Sequence, residues 1–208
     1  MTSRKLGAAA SGAAAALIFA SAAFAQATPA APAVTHGAAL PGVCYLSTQE
    51  AIATSTVGKA VNTRMQQLIT QVSTELQPEQ TIIETEGKAI EAGRASMDQA
   101  TLQKRATDWR TRLDTFQRRA GQRERELEAT QQKAVARVLQ EMDPVAKSIY
   151  QQRRCSILLD RDSVMLGNPA MDLTASVVAG LNARIQTFAF ERERLDQQPA
   201  TTQPAAAR

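Results

Sequence analysis

The sequence has few of the residues that enzymes most often use in their active sites. Its 208 residues include a single histidine, His36, in an alanine- and proline-rich stretch near the amino terminus. We therefore expect no catalytic histidine and no histidine-containing zinc site in the folded part of the chain. There is also no glycine-rich phosphate-binding loop and no Cys-x-x-Cys motif. These absences predict a protein that is not an enzyme and that uses no cofactor or metal.

Long apolar runs are also scarce, and the one that exists lies at the amino terminus. Two basic residues precede an apolar run over residues 6–20, and Ala25 ends a cleavage site of small residues. This pattern is typical of a secretory signal peptide, residues 1–25, and the run is too short and alanine-rich to favour a membrane anchor. We expect export to the periplasm, with a flexible leader at residues 26–41 and a flexible tail at residues 191–208.

Charges of the two signs are nearly balanced. The chain has 24 basic and 20 acidic residues, a net charge of +4. Removal of the signal peptide, with Arg4 and Lys5, leaves 22 basic against 20 acidic residues. So small an excess in an exported chain argues against nucleic acid as a partner.

What the chain does contain is a long helical pattern over residues 56–150. Its apolar residues recur mostly at steps of three, four or seven and form one narrow stripe, which is typical of a coiled coil. The stripe consists of Val57, Val61, Met65, Leu68, Val72, Leu76, Ile83, Ile90, Met97, Leu102, Trp109, Leu113, Phe116 and Ala120. We predict two long antiparallel helices, each roughly 55–70 Å long, that project as a hairpin from a smaller body.

Interruptions of this pattern locate the ends of the helices. Gly93 can end the first helix and Ser96 can open a capping box, so the tip is predicted near residues 93–99. Pro144 predicts the start of a new short helix. Pro78 lies inside the first helix and is expected to kink or interrupt it.

The segments on both sides of the hairpin predict a small body and a mainly α protein of the α+β class. Residues 42–55 read as a strand and a short helix. Residues 151–190 read as two strands, at 155–159 and 164–167, and an amphipathic helix that begins at Thr174 and reaches Phe188. With one rising and one falling helix between them, the first two strands should be antiparallel if they pair. So small a sheet is marginal alone, which favours a β-barrel or sheet shared between subunits.

The two cysteines, Cys44 and Cys155, flank the predicted hairpin. In an oxidising compartment such a pair can form a disulfide that closes the base of the hairpin, and we favour this pairing. Two buried free thiols and an intermolecular bridge are the alternatives, because bridging depends on Cα separations that a sequence does not contain.

The segment after the hairpin carries a distinctive pattern. It comprises ILLDRDSVM at residues 157–165, NPAMDLT at residues 168–174, and then Val177, Val178, Leu181 and Asn182. This pattern resembles the carboxy-terminal signature of the Skp (OmpH) family of periplasmic chaperones. Gly58 and Lys59, at the foot of the first helix, fit the same family.

The resemblance implies a homotrimer whose subunits pool their strands in a β-barrel body, from which helical arms extend around a central cavity. It also implies an ATP-independent holdase that binds unfolded outer-membrane β-barrel proteins and prevents their aggregation before membrane insertion. Unfolded outer-membrane proteins and further copies of this chain are therefore the expected partners.

The second long helix supplies the candidate binding residues. From Lys104 to Arg125 it carries eight cations against three carboxylates, which leaves five positive charges. Such a helix can attract acidic unfolded chains, anionic lipid or lipopolysaccharide, although solvated charge pairs are the simpler explanation of any single residue. The eight cations are Lys104, Arg105, Arg110, Arg112, Arg118, Arg119, Arg123 and Arg125.

Three apolar residues of the stripe, Met65, Met97 and Trp109, are candidate contacts for varied clients. Their spacing favours instead a role in holding the two helices together. The alternative function from another class is a structural or adaptor coiled coil of the cell envelope that binds one fixed folded partner.

Overall fold

Two long helices dominate the part of the chain that the structure, a computed structural model, describes: residues 34–195. The predicted signal peptide and most of the leader lie outside these residues. In chain order the elements are β1 (Val43–Leu46), α1 (Thr48–Thr54), α2 (Thr56–Gly93), α3 (Gln99–Gln152), β2 (Ile157–Asp160) and α4 (Thr174–Arg184), with 3₁₀ turns at Arg161–Ser163 and Pro169–Met171.

Helices α2 and α3, together called the helix pair, lie side by side. They contain 38 and 54 residues, which correspond to about 57 Å and about 81 Å at 1.5 Å per residue. Ion pairs join Glu86 to Arg105 and Glu75 to Arg123, so residue numbers fall on α2 as they rise on α3. The two helices therefore run in opposite directions.

The tip of the helix pair lies within residues 93–99, as the sequence predicts. The capping residue differs, because Asp98 accepts a hydrogen bond from the Thr101 amide (3.0 Å) and opens α3. Ser96 does not cap α3; its hydroxyl donates to the Gly93 carbonyl (3.1 Å) and helps close the end of α2.

Both prolines lie inside continuous helices. The predicted new helix at Pro144 is wrong, because α3 runs unbroken to Gln152, and α2 likewise continues through Pro78. Pro144 is exposed, while Met142 is buried in the core and Val145 packs against it. These tertiary contacts on both sides of Pro144 hold the helix despite its lost hydrogen bond.

Strands β1 and β2 form a parallel pair, with Val43 opposite Ile157 and Leu46 opposite Asp160. The expectation of antiparallel strands is therefore wrong. It assumed that β2 keeps the direction in which α3 returns. The chain instead turns between α3 and β2, where Arg154 adopts a positive φ of 52°.

The predicted third strand at residues 164–167 is also absent from the described chain. After β2 the backbone enters a 3₁₀ turn in which Asp160 caps Asp162 (2.8 Å), and Arg161 then donates to the Val164 carbonyl. The second edge of β1 is already taken, because the Leu173 amide donates to the Tyr45 carbonyl (2.9 Å). The segment therefore has no strand edge of β1 left to join.

Helix α4 closes the base of the helix pair. Val177 and Leu181 are fully buried against α1 and α3, and the Asn182 side chain accepts from the Thr56 amide (2.7 Å). The helix ends at Arg184, so its predicted extension to Phe188 is wrong. Residues 185–195 are not helical and run back along the helix pair.

The joint between α1 and α2 requires glycine at position 58. Ser55 caps α2 by accepting from the Gly58 amide (3.1 Å). The Ile52 carbonyl approaches so closely that a Cβ at position 58 would lie 1.8 Å from its oxygen. The short helix α1 can therefore meet α2 at this angle only because residue 58 has no side chain.

A disulfide joins Cys44 to Cys155, with their Cα atoms 5.8 Å apart. This is the pairing that the sequence analysis favoured. Both residues are buried, and the bridge ties the start of β1 to the end of the turn before β2. It closes a covalent loop that contains the whole helix pair.

Replacement of both cysteines by serine should lower the free energy of unfolding by about 3–5 kcal/mol, because it releases the loop entropy that the bridge removes from the unfolded chain. Urea unfolding at one fixed protein concentration measures this loss. A reducing agent should cause the same loss in the natural protein and none in the double variant. Equal midpoints for both proteins under oxidising conditions would contradict the prediction.

Candidate functional site

The outer half of the helix pair, residues 76–125, is held together by few contacts. Trp109 on α3 lies against α2, where its indole N–H donates to the Ile83 carbonyl (2.9 Å). Gly87 makes room for the ring, since a Cβ there would lie 3.2 Å from the indole nitrogen. Ile83 is the one buried residue of α2 in this half, and α3 has none. Trp109 therefore joins the two helices.

The two candidate methionines occupy different environments. Met65 is buried in the core at the base of the helix pair. Met97 is half-buried at the tip, where its side chain folds over Gly93 and its sulfur lies 3.7 Å from an Arg105 guanidinium nitrogen. Of the two, only Met97 offers surface to another molecule in this structure.

Six of the eight candidate cations form ion pairs. Two of these pairs lie along α3, and the others reach glutamates of α2. The pairs are Lys104 with Asp108, Arg118 with Asp114, Arg105 with Glu86, Arg112 with Glu79, and both Arg119 and Arg123 with Glu75. Their charge is thus partly compensated within the chain, which weakens its pull on a distant partner.

Arg110 and Arg125 differ from the other six. Both are exposed, and within residues 34–195 neither has a carboxylate oxygen within 4.0 Å. They are therefore the members of the predicted basic set whose charge is most available to an anionic partner.

An open groove lies between the two helices near the tip. Its volume is about 670 Å³, and Ile90, Leu102 and Trp109 supply its apolar lining. Arg94 and Arg110 line it as well. The groove thus places one of the available cations beside a half-buried apolar surface.

An exposed apolar surface lies on β2 and the segment that follows it. All four residues of β2 are exposed. Beyond the strand, Met165 is 94% exposed and Leu166 is 73% exposed. In the described chain the sheet has two strands, so β2 has one free edge. An unbroken apolar run such as Ile157–Leu159 is typical of a strand covered on both faces, and within residues 34–195 no segment covers it.

Sequence reasoning missed a cluster of four charged side chains at the border between the two halves of the helix pair. Arg192 contacts Glu75 (3.0 Å) and Glu126 (3.3 Å), and Arg123 contacts the same two carboxylates (2.8 and 2.9 Å). The side chain of Glu126 is fully buried, and those of Arg123 and Arg192 are only 15% and 14% exposed. The cluster could not be foreseen, because Arg192 lies in the segment predicted to be a flexible tail.

The cluster changes the proton affinity of Glu75. Burial alone raises the pKa of its carboxyl group, but hydrogen bonds from Arg123 and Arg192 outweigh burial and lower the pKa from 4.5 to about 2. Glu75 therefore stays ionised under all but strongly acidic conditions.

This shift predicts a dependence of stability on pH. Because the pKa of Glu75 is lower in the folded than in the unfolded chain, its contribution is complete above the unfolded value and is lost as the pH falls from about 4.5 towards about 2. The free energy of unfolding of the natural protein should fall more steeply across this range than that of Glu75→Gln.

Urea unfolding at a series of pH values measures the difference. Glu84→Gln is the matched control, since Glu84 is exposed on the same helix and, among the described residues, has no cation within 4.0 Å. The control should retain the natural slope. A Glu75→Gln protein with that same slope would contradict the assignment.

The described residues contain no group of three or more histidine, cysteine, aspartate or glutamate side chains arranged to hold a metal ion. Among the helices within residues 34–195, none is both long enough and apolar enough to cross a membrane.

Known proteins resemble this chain in sequence and in fold. A model of a family of outer membrane proteins (OmpH-like) matches residues 42–181. The crystal structure of a candidate outer membrane chaperone (OmpH-like) from Caulobacter crescentus CB15 is similar, with a TM-score of 0.70 and 48% sequence identity. The match covers 80% of this chain and 98% of that one. No curated protein matches the chain significantly.

Proposed function

The chain belongs to the OmpH-like family of outer membrane proteins, and we propose on that basis that it is a chaperone of the cell envelope. In more detail, the proposal is an ATP-independent holdase in the periplasm that binds unfolded outer-membrane β-barrel proteins and prevents their aggregation before insertion. No residue is assigned a catalytic role. A predicted signal peptide and a disulfide bond both suit an oxidising, exported location.

One observation carries the holdase proposal: the outer half of the helix pair presents an open groove that combines apolar side chains with the available cation Arg110. The groove is open, and Arg125 lies apart from it on the same helix. Separate apolar and electrostatic contacts of this kind can hold an unfolded chain at many positions along its sequence. They do not form the enclosed polar site that one small substrate would need.

The same cations are candidate contacts for anionic lipid or lipopolysaccharide. A charged headgroup would meet Arg110 beside the apolar lining of the groove, and also Arg94, which pairs with Glu91 (3.6 Å). Such binding would strengthen at low ionic strength, as would binding of an acidic client.

The proposed oligomer is a homotrimer with strands pooled between subunits. Its support is the exposed β2 surface, with the free edge of the strand and the apolar side chains of Met165 and Leu166. A two-stranded sheet with one apolar face in water is marginal, and pairing with another copy would cover both the edge and the face. A β-barrel shared by three chains would satisfy each copy equally.

Light scattering tests the holdase and the oligomer together. An unfolded outer-membrane β-barrel protein is diluted from urea with and without the mature protein, and multi-angle scattering gives the mass of the mature protein in solution. We expect suppressed aggregation for several unrelated barrels and a mass three times that of one chain.

The adaptor alternative predicts a different result. An adaptor would leave the aggregation of every barrel unchanged and would bind one folded envelope protein at a fixed ratio. That outcome would overturn the holdase proposal. A monomer or dimer that still suppresses aggregation would remove the trimer and leave the holdase.

Replacement of Arg110 and Arg125 by glutamine should weaken binding to an acidic unfolded barrel by about tenfold, which corresponds to about 1.4 kcal/mol from two partly screened charges. The affinity of the double variant should also depend less on ionic strength. Fluorescence titration of a labelled client at two salt concentrations measures both effects.

The matched control is Lys59→Gln with Arg153→Gln. Both residues are exposed at the base of the helix pair, and within the described chain neither forms an ion pair. The control removes the same net charge and should change client affinity less than twofold, by about 0.4 kcal/mol or less. Equal losses in the two variants would show that total charge, not the outer half of α3, attracts the client.

A further inference from the structure

The segment after α4 makes an unexpected return along the helix pair. Ile185 leaves the helix in an extended conformation, with φ −149° and ψ 135°. The described residues that follow, up to Leu195, lie against α2 and α3 and are here called the strap, residues 185–195. The strap lies beyond the part of the chain that the family model matches, residues 42–181.

Aromatic side chains and backbone hydrogen bonds seat the strap. Phe188 and Phe190 are half-buried against the core, with ring centroids 5.4 Å apart. The Phe190 carbonyl accepts from the Arg64 guanidinium (3.2 Å) on α2. The Glu193 amide donates to the buried hydroxyl of Thr130 (2.9 Å) on α3. The strap thus uses its own backbone to contact both helices.

Three consecutive charged residues add ion pairs to both helices. The Glu191 carboxylate receives two hydrogen bonds of 2.8 Å from Arg64 on α2. Glu193 pairs with Lys133 on α3 (2.5 Å). Between them, Arg192 contacts Glu75 on α2 and Glu126 on α3. The guanidinium of Arg192 therefore links the two helices directly.

Among residues 185–195, the contacts nearest the tip are those of Arg192 with Glu75 and Glu126, and they lie where the packing of the helix pair becomes thin. On the basal side, buried residues recur along α2 as far as Val72 and along α3 from Glu126 onward. On the outer side, Ile83 is the one buried residue of the two helices. Pro78 and Gly121, which weaken helices locally, both lie within one turn of the charge cluster.

We propose that the strap holds the basal half of the helix pair closed. The point at which the helix pair flexes then lies just beyond the Glu75–Arg123–Glu126–Arg192 cluster. Without the strap, Glu126 would keep Arg123 as its single charged partner. The basal parts of α2 and α3 would also lose the segment that contacts both of them. Loss of one partner of a buried charge is more disruptive than loss of an exposed pair. Because of the strap, the outer half of the helix pair opens while the basal half stays closed, with or without a client.

Hydrogen exchange of the full mature protein, without client, tests this inference by mass spectrometry. In the natural protein the amides of residues 79–118 should exchange faster than those of residues 57–75 and 126–142. In Arg192→Ala the basal amides should exchange about tenfold faster or more, since local opening free energies fall when a buried ion pair is broken. Their rates should approach those of the outer half.

Arg194→Ala is the matched control, because Arg194 is an exposed strap residue that has no carboxylate within 4.0 Å in the described chain. It should leave every rate within twofold of the natural protein. A milder double variant, Glu191→Gln with Glu193→Gln, removes the flanking ion pairs and leaves the cluster intact. It should speed basal exchange by a smaller factor than Arg192→Ala.

The double variant also decides the case in which Arg192→Ala unfolds altogether. Basal exchange that rises in the double variant while the outer half stays unchanged supports the strap as a lock. Basal rates that match the Arg194→Ala control in both variants, or a rise confined to the outer half, would overturn the inference.

Discussion

A narrow apolar stripe is the constraint on which this structure depends. Helices of 38 and 54 residues need far more contact than one stripe provides, because most of each surface is polar and stays in water. The stability of the helix pair must therefore come from its base. There α1, α4 and the β1–β2 pair surround the ends of α2 and α3 and bury Val57, Leu68 and Val138.

The base and the outer half of the helix pair differ in how many of their side chains are buried. At the base, side chains are enclosed and the backbone is capped by Ser55 and tied to Asn182. Towards the tip, the two helices share Trp109, a few cross-helix ion pairs and an open groove. Regions with few buried contacts have low local stability, so the outer half of the helix pair should open locally more readily than the base.

Local patterns allowed part of this fold to be predicted from the sequence. The limits of the tip followed from Gly93 and the polar residues after it, and a bridge between Cys44 and Cys155 was favoured because both flank the hairpin. The failures have different causes. Pro144 was expected to begin a helix, but core contacts on both sides override its local preference.

The remaining errors concern contacts between residues far apart in sequence. The parallel pairing of Val43 with Ile157 depends on a turn at Arg154 that no sequence motif predicts. Arg192 lies in a polar, glutamine-rich end of the chain that resembles a flexible tail, yet its charge meets Glu126. Individual ion pairs across such separations leave no pattern in the sequence. The apolar surface of β2 does leave one, because an unbroken apolar run is typical of a strand that is covered on both faces.

The disulfide also determines how the chain carries mechanical load. Everything between Cys44 and Cys155 lies inside a covalent loop, whereas both termini lie outside it. Tension applied between the two ends passes through the sulfur–sulfur bond and bypasses α2 and α3. Pulling on the termini would first detach α4 and the strap, and the long helices would bear no direct force while the bridge is intact. With the bridge reduced, the same tension would run along the full length of both helices.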